Sequence, residues 1–159
     1  MVKGRHAPGG IPLAQARIVT GQVSTDVTMV MTDVEGSTAL WEWNAPVMTA
    51  AITMHDSFMR RSLRRCYGYE VTTEGDAFIV AFHCATDAIE WAMSVQEGLL
   101  LLPWPEELLA ESRLPCTATV EHGGRRIFRG LRVRIAMESG PLAQEGVGKL
   151  TGRLQAEGG

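Results

Sequence analysis

The chain has 159 residues, enough for one domain with a sizeable core but not for two domains of usual size. Apolar residues make up 45% and charged residues 21%, and these ordinary globular values argue against disorder and collagen-like structure. The chain has 15 lysine and arginine residues and 18 aspartate and glutamate residues, which gives a net charge of −3. A negative net charge argues against a protein that binds nucleic acid through its overall charge.

The first predicted element is a strand. Residues 1–26 are rich in glycine and proline and are predicted to be a flexible leader or connector. Residues 27–32 (VTMVMT) are β-branched and apolar on both faces, which predicts a buried strand. The strand runs into the polar turn of residues 33–38 (DVEGST), which carries residues suited to a helix N-cap.

A long amphipathic helix is predicted next, and Gly68 is predicted to close it. One stripe of residues recurs at steps of three and four: Met48, Ile52, His55, Met59, Leu63 and Cys66. A basic cluster on the same helix is predicted to be a solvated face rather than a nucleic-acid patch: Arg60, Arg61, Arg64 and Arg65.

The second half of the chain begins with a hairpin signal. Residues 69–73 (YEVTT) and 77–82 (AFIVAF) are strand-like, and the turn EGD joins them in a register that the sequence leaves open. A second amphipathic helix follows, with the stripe Ala85, Ala88, Ile89, Ala92, Val95 and Leu99. Residues 108–130 are predicted to be a long excursion with room for a small hairpin around the glycine pair 123–124. Residues 131–137 (LRVRIAM) alternate and predict a last strand, whereas residues 140–159 show no convincing periodicity.

The order strand, helix, hairpin, helix, strand predicts an α+β fold. It is the order of a ferredoxin-like (split βαβ) sandwich, in which helices pack on one face of an antiparallel sheet. In that sheet the first strand lies beside the hairpin. Asp33, at the end of the first strand, and Asp76, at the hairpin tip, are therefore expected to meet at one sheet edge.

The residues at this edge could bind a metal ion through oxygen atoms and an anion through backbone N–H groups. Two carboxylates and the carbonyl oxygen of Val34 suit Mg²⁺ held jointly with substrate phosphates. The backbone N–H groups of Gly36, Ser37 and Thr38 open a helix, and a helix N-terminus is a natural phosphate seat. These are the parts of two-metal phosphoryl transfer. The alternative is structural, because a lone aspartate at a strand end or turn commonly serves as a cap or Asx-turn.

Three segments carry a specific resemblance. Residues 28–42 (TMVMTDVEGSTALWE), 68–82 (GYEVTTEGDAFIVAF) and 129–140 (RGLRVRIAMESG) resemble, in order, the signature segments of the class III adenylate and guanylate cyclase catalytic domain. The spacing is similar to that of fungal, protist and algal forms, and the match extends over about residues 21–153. The resemblance implies a partial cyclase domain at residues 27–153, followed by a glycine-rich tail at residues 154–159.

The resemblance also implies roles for individual residues. Asp33 and Asp76 match the two metal-binding aspartates, which hold two Mg²⁺ or Mn²⁺ ions with the carbonyl of Val34. Residues 36–38 match the loop that binds the triphosphate, and Arg134 matches a strand arginine that reaches the phosphates, with a solvated strand arginine as the alternative. In the family, the ribose 3′-hydroxyl attacks the α-phosphate in line and pyrophosphate leaves, so a covalent enzyme intermediate is not needed.

Three departures from the family pattern leave questions open. Thr72 stands where many adenylate cyclases have a lysine and guanylate cyclases a glutamate, so the choice between ATP and GTP is open. Gln155 stands where the family has a purine-selecting aspartate. The family continues with a strand and a helix bearing the asparagine and arginine that stabilise the transition state. Because this sequence ends at Gly159, the chain is expected to hold the metal half of the site and to be inactive alone.

The leading prediction is a nucleotidyl cyclase domain that makes cyclic AMP or cyclic GMP from the triphosphate. The alternative is a non-catalytic pseudocyclase or half-site subunit that pairs with another cyclase domain as a homodimer or heterodimer. No nucleic-acid partner and no membrane span are expected, since the longest aliphatic run covers only residues 99–102. The three cysteines form no CxxC pair, which indicates a cytoplasmic protein or the cytosolic part of a larger membrane-associated one.

Overall fold

The described part of the chain contains six strands and four helices. The structure is a computed structural model that describes residues 26–111, 114, 117 and 119–141. The strands are β1 (Asp26–Val34), β2 (Tyr69–Glu74), β3 (Ala77–Phe82), β4 (Val120–His122), β5 (Arg125–Phe128) and β6 (Val133–Pro141). The helices are α1 (Ser37–Trp43), α2 (Ala45–Arg65), α3 (Ala85–Leu99) and α4 (Glu106–Ala110). The predicted leader (except Asp26), the predicted tail and Gln155 lie outside the described residues.

Four of the strands form one antiparallel sheet in the order β2-β3-β1-β6. The central strand β1 pairs on one side with β3 and on the other with β6, so that Val30 lies opposite both Val80 and Met137. Helix α3 packs against β1, β3 and β6, and α2 packs against α3 and β2. This arrangement is the split βαβ sandwich that the element order predicts.

The helices cover only one face of the sheet, and this corrects the prediction for β1. Val30 and Val34 point toward the helices and are almost fully buried. Met29 and Met31 point to the opposite, open face and are 40% and 54% exposed. The apolar run on both sides of β1 therefore does not indicate burial on both faces, since no described element packs on the open side of the strand.

The first helical stretch is two helices, because the chain breaks at Asn44. This residue has φ −157° and ψ 89°, and its Oδ1 accepts a hydrogen bond of 3.2 Å from the N–H of Val47. Pro46 lies in the first turn of α2, where a missing N–H costs little. Asn44 therefore caps α2 and separates it from the seven-residue helix α1.

In α3 the buried stripe is rotated from the predicted one. Ala88, Trp91, Val95 and Leu99 are buried, whereas Ile89 is 49% exposed. Successive helical residues lie about 100° apart, so Ile89 falls beside the stripe centred on Ala88 and Trp91. The predictions for Ala85 and Ile89 are wrong, since both are exposed, and Trp91 takes the core position.

The end of α2 depends on Gly68 for a reason other than the predicted one. The left-handed residue is Tyr67, with φ 56°, while the N–H of Gly68 donates to the carbonyl of Leu63 at 3.1 Å. A Cβ atom on Gly68 would lie 2.2 Å from Cδ1 of Leu63 and 2.6 Å from Cε1 of Phe82. Glycine is needed here because the end of α2 packs closely on β3.

Gly68→Ala is therefore expected to lower the free energy of unfolding by about 1–3 kcal/mol, the usual cost of an overpacked core. Urea denaturation followed by circular dichroism measures this. Gly140→Ala is the matched control, because an added Cβ there meets nothing within 4 Å. Equal stabilities for the two variants would show that the packing at Gly68 is not tight.

The described residues between positions 106 and 128 form more regular structure than the irregular connection predicted for residues 108–130. Helix α4 is unpredicted, while β4 and β5 form the expected hairpin through Gly123 and Gly124. Both glycines have positive φ values, 56° and 73°, as a type I′ turn requires. Within residues 26–111 and 119–141, none of the helices has the length and apolarity that a bilayer crossing requires.

The two described cysteines are free thiols in different environments. Burial raises the pKa of Cys66. The hydroxyl of Thr86 and the N–H groups of Thr86 and Asp87 lower the pKa of Cys84, which precedes α3.

Iodoacetamide at neutral pH should alkylate Cys84 about ten-fold faster than Cys66, because the thiolate is the nucleophile. Peptide mass spectrometry measures both rates, and similar rates would contradict the assigned environments.

Candidate active site

The two predicted metal-binding aspartates lie together at one end of the sheet. Asp33 is the second-to-last residue of β1, and Asp76 lies in the two-residue turn between β2 and β3. Gly75 takes φ 63° in this turn, a conformation that favours glycine. The turn directs Asp76 toward β1, where its Oδ2 accepts a hydrogen bond of 3.1 Å from the N–H of Val34. Asp33 and Asp76 are 43 positions apart in sequence, and they lie at the same end of the sheet.

The backbone N–H and C=O groups of Val34 lie at the same end of the sheet as Asp33 and Asp76. Its side chain is buried under the helices with 1% exposure, so the backbone at the end of β1 is held firmly. In an extended strand the N–H and C=O of one residue point to the same side. Since the N–H of Val34 points to Asp76, its carbonyl oxygen also points toward the β2–β3 turn.

Arg134 completes this group of charges. It lies directly opposite Asp33 in the β1–β6 register, and its Nη2 donates to Oδ2 of Asp33. The bond to Asp33 and the charge of Asp33 raise the pKa of Arg134, and Glu35 and Asp76 add smaller contributions. The side chain of Arg134 is 66% exposed, so water and salt screen this ion pair. The predicted phosphate-binding arginine therefore contacts a predicted metal ligand in this structure.

The predicted triphosphate loop follows directly after β1. Gly36 takes φ 68° and occupies the N-cap position of α1, and the carbonyl of Gly36 accepts from the N–H of Leu40 at 3.2 Å. Ser37 and Thr38 form the first turn of α1, whose N–H groups have no partner within the helix. The first turn of α1 contains no acidic residue, so no carboxylate of that turn competes with a phosphate.

Thr72 lies on β2, two strands away from β1. It pairs with Ile79 of β3, which itself pairs with Met31 of β1. Paired residues project to the same face, so Thr72 is on the open face that also carries Asp33. The structure thus brings Asp33, Asp76 and Arg134 together and places Thr72 apart from them on the same open face.

Sequence reasoning missed a charged network on the helix side of β2. Arg60 donates from Nε and Nη2 to Glu70 at 3.0 Å each, and from Nη1 to Asp56 at 3.2 Å. The hydroxyl of Thr73 donates to Glu70 at 2.7 Å. The bond to Glu70 raises the pKa of Arg60 although partial burial opposes it. Arg60 is therefore not simply part of a solvated face, and only its spacing from Asp56 (i, i+4) signalled a partner.

The donor set restricts the kind of metal that could bind. Among the described residues, no group of three or more His, Cys, Asp or Glu side chains is arranged to hold a metal ion. Two carboxylates and a carbonyl oxygen are hard ligands, and Mg²⁺ is typically held by one or two carboxylates together with substrate phosphates. The residues at this edge fit a hard divalent cation bound with a phosphate substrate.

The sequence of this chain is similar to those of known nucleotide cyclases. The family model described as the adenylate and guanylate cyclase catalytic domain matches residues 19–155. The adenylate cyclase of Neurospora crassa is 44% identical over 126 residues, which cover 79% of this chain and 5% of the relative. The chain thus spans a small fraction of the length of that curated relative.

Solved structures show the same fold. An adenylate cyclase structure from Trypanosoma brucei, described in its monomeric state, is 30% identical with a TM-score of 0.65. The match covers 75% of this chain and 57% of that one. The guanylate cyclase domain of RhGC from Catenaria anguillulae, in complex with GTP, is 18% identical with a TM-score of 0.55, over 74% of this chain and 58% of that one. The family model matches most of the chain, so the chain belongs to the adenylate and guanylate cyclase catalytic domain family.

Proposed function

We propose that this chain is a nucleotidyl cyclase domain that converts ATP, or GTP, to the 3′,5′-cyclic nucleotide and pyrophosphate in cyclic-nucleotide signalling. The observation that carries the proposal is the contact between Val34 N–H and Asp76 Oδ2, because it unites Asp33 and Asp76 at one sheet edge. The sequence likeness to adenylate cyclases supports ATP as the substrate. Thr72 is the purine-selecting position in this proposal, and a threonine there leaves GTP open.

The metal ligands in this proposal are Asp33, Asp76 and the carbonyl oxygen of Val34, which would hold two Mg²⁺ or Mn²⁺ ions. When bound, these ions activate the ribose 3′-hydroxyl and neutralise charge on the phosphates. Both carboxylates reach the same edge, and the carbonyl of Val34 points toward it. The oxygen-only donor set supports this choice of metal over zinc.

The remaining residues orient the triphosphate. The N–H groups of Gly36, Ser37 and Thr38 bind phosphate oxygens at the start of α1. The guanidinium of Arg134 exchanges the Asp33 carboxylate for a phosphate, since planar guanidinium groups bind both anions through two parallel hydrogen bonds. The bond between O3′ and the α-phosphorus then forms as the bond from that phosphorus to pyrophosphate breaks, and the proton of the 3′-hydroxyl passes to water.

Arg134→Met separates these two roles of the arginine. Triphosphate affinity should fall by about ten-fold, because a charge-assisted contact is lost. Affinity for Mn²⁺ alone should rise about two-fold, because Asp33 loses its competing partner and such exposed pairs are weak. Isothermal titration measures both affinities, and the exposed arginine of β5 serves as the control in Arg126→Met. A fall in both affinities would contradict the proposed exchange.

Dimer formation is part of the proposal, with a second copy or another cyclase domain as partner. Cyclic nucleotide formation should be measured with Mn²⁺ and ATP or GTP, for the chain alone and mixed with a cyclase domain that lacks its own metal aspartates. Product in either assay supports the cyclase function. Binding of metal and nucleotide without product, despite demonstrated pairing, would favour the alternative of a non-catalytic pseudocyclase or half-site subunit. A cytoplasmic location, either of the whole protein or of the cytosolic part of a larger membrane-associated one, is also part of the proposal.

A further inference from the structure

Strand β2 contains one extra residue that changes the direction of Thr72. Along the β2–β3 ladder Glu70 pairs with Val80, but the next pair is Thr72 with Ile79, so Val71 is left without an opposite residue. This irregularity is a β-bulge. In a regular strand, side chains alternate, and residues 70 and 72 would project to the same face.

The bulge divides β2 between the two faces of the sheet. Glu70 and Thr73 pair with Val80 and Phe78, which are buried under the helices with 0% exposure. Thr72 pairs with Ile79 and therefore projects to the open face. The proposed nucleotide-selecting side chain thus reaches the open face only because one residue is inserted before it.

Three side chains hold the bulge from the helix side. Arg60, Glu70 and Thr73, which we call the β2 clamp, are joined by a bidentate ion pair and a hydroxyl bond to the same carboxylate. The Cζ atom of Arg60 also lies 4.9 Å from the centre of the Phe78 ring, which fixes the guanidinium above the sheet. The carboxylate of Glu70 is only 15% exposed, so this pair is less screened than a surface pair.

Glu70 and Thr73, the two clamp residues on β2, constrain the residues between them, which are Val71 and Thr72. Glu70 and Thr73 are three positions apart, yet both point toward α2, and this is compatible with strand pairing only if Val71 is bulged. Release of either anchor would allow the ladder to shift by one residue. A one-residue shift would turn Thr72 away from the open face.

We propose that the β2 clamp sets nucleotide specificity by fixing the direction of Thr72. The inference rests on the proposed function, in which Thr72 is the position that distinguishes ATP from GTP. The clamp residues are positioning residues, since they lie on the helix side and act through Thr72. Their loss changes the ratio of the two affinities and not merely their strength.

The test is a double-mutant cycle on the full chain with Mn²⁺ and fluorescent analogues of ATP and GTP. Thr72→Val and Arg60→Ala should each change the ratio of the two dissociation constants by about five-fold, the effect of one hydrogen bond. The double variant should change it no further, because both act through one side chain. Arg64→Ala, an exposed arginine of the same helix, is the matched control and should leave the ratio unchanged.

A purely structural clamp would give a different result. Arg60→Ala would then lower the affinities for both nucleotides equally, or its effect on their ratio would add to that of Thr72→Val. Either result would overturn the inference. If Arg60→Ala does not fold, Thr73→Val serves as the test, because it removes only the hydroxyl that donates to Glu70. Thr73→Ser keeps a hydroxyl and should leave the ratio as in the unmodified chain. If the unmodified chain binds neither nucleotide, the proposed function itself fails. If it binds both and the clamp variants keep the ratio, only the present inference fails.

Discussion

Asp33→Asn and Asp76→Asn should each reduce cyclic nucleotide formation by about 10³-fold in the mixture with a cyclase domain that lacks its own metal aspartates. Asparagine keeps the shape of the side chain but cannot supply the negative charge that a divalent cation needs at this edge. Affinity for the Mn²⁺–nucleotide complex should fall as well, by about ten-fold or more for either variant. Titration with a non-cyclisable triphosphate analogue measures binding separately from turnover, so the prediction does not depend on the activity of the chain alone.

The structure indicates that neither variant should unfold the domain. An asparagine at position 76 retains an oxygen that can accept from the N–H of Val34, so the link between the turn and β1 survives. The ion pair of Asp33 with Arg134 is largely exposed, and pairs of this kind contribute little to stability. Glu138→Gln is the matched control, because Glu138 is an exposed carboxylate of β6 on the open face. If either asparagine variant binds Mn²⁺–nucleotide as the unmodified chain does, the metal-ligand assignment is wrong.

The strands and their order could be predicted because local pattern and topology agree. The β-rich segments, the glycine-containing turn before Asp76 and the amphipathic stripes each favour one element, and a split βαβ order leaves one simple arrangement of the sheet. That arrangement places Asp33 beside the hairpin. The hydrogen bond between the N–H of Val34 and Asp76 confirms this placement. The proximity of the two aspartates followed from topology rather than from their spacing.

Features that depend on long-range register could not be predicted. The contact between Asp33 and Arg134 requires the β1–β6 pairing to bring two residues 101 positions apart directly opposite each other. The bulge at Val71 likewise appears only when β2 is aligned with β3. A sequence pattern shows which residues alternate, but a shift of one residue reverses every side chain, and the sequence left the hairpin register open.

Packing choices within helices were the other source of error. The predicted stripe of α3 contains Ile89 in place of Trp91, since both residues are apolar and lie only two positions apart. The larger side chain occupies the core because a tryptophan removes more apolar area from water. Asn44 is not among the predicted helix boundaries, although an Asn-Ala-Pro sequence is typical of a helix start.

Trp91→Ala should lower the free energy of unfolding by about 3–5 kcal/mol, more than Gly68→Ala or either aspartate variant. Trp91 is fully buried, and its Nε1–H donates to Oγ of Ser62 on α2 at 3.0 Å. Its ring centre lies 5.7 Å from that of Phe82 on β3. One side chain therefore joins both long helices to the sheet, and its removal leaves a cavity at their meeting point.

Two further variants separate the parts of this effect. Trp91→Phe keeps an aromatic ring against Phe82 but loses the bond to Ser62, and it should cost about 1–2 kcal/mol. Trp41→Ala is the control for loss of a tryptophan, because Trp41 is 40% exposed and should change stability by about 0.5 kcal/mol. Urea denaturation followed by far-ultraviolet circular dichroism avoids interference from the changed fluorescence. A loss below about 1 kcal/mol for Trp91→Ala would mean that α2, α3 and β3 do not meet at this side chain.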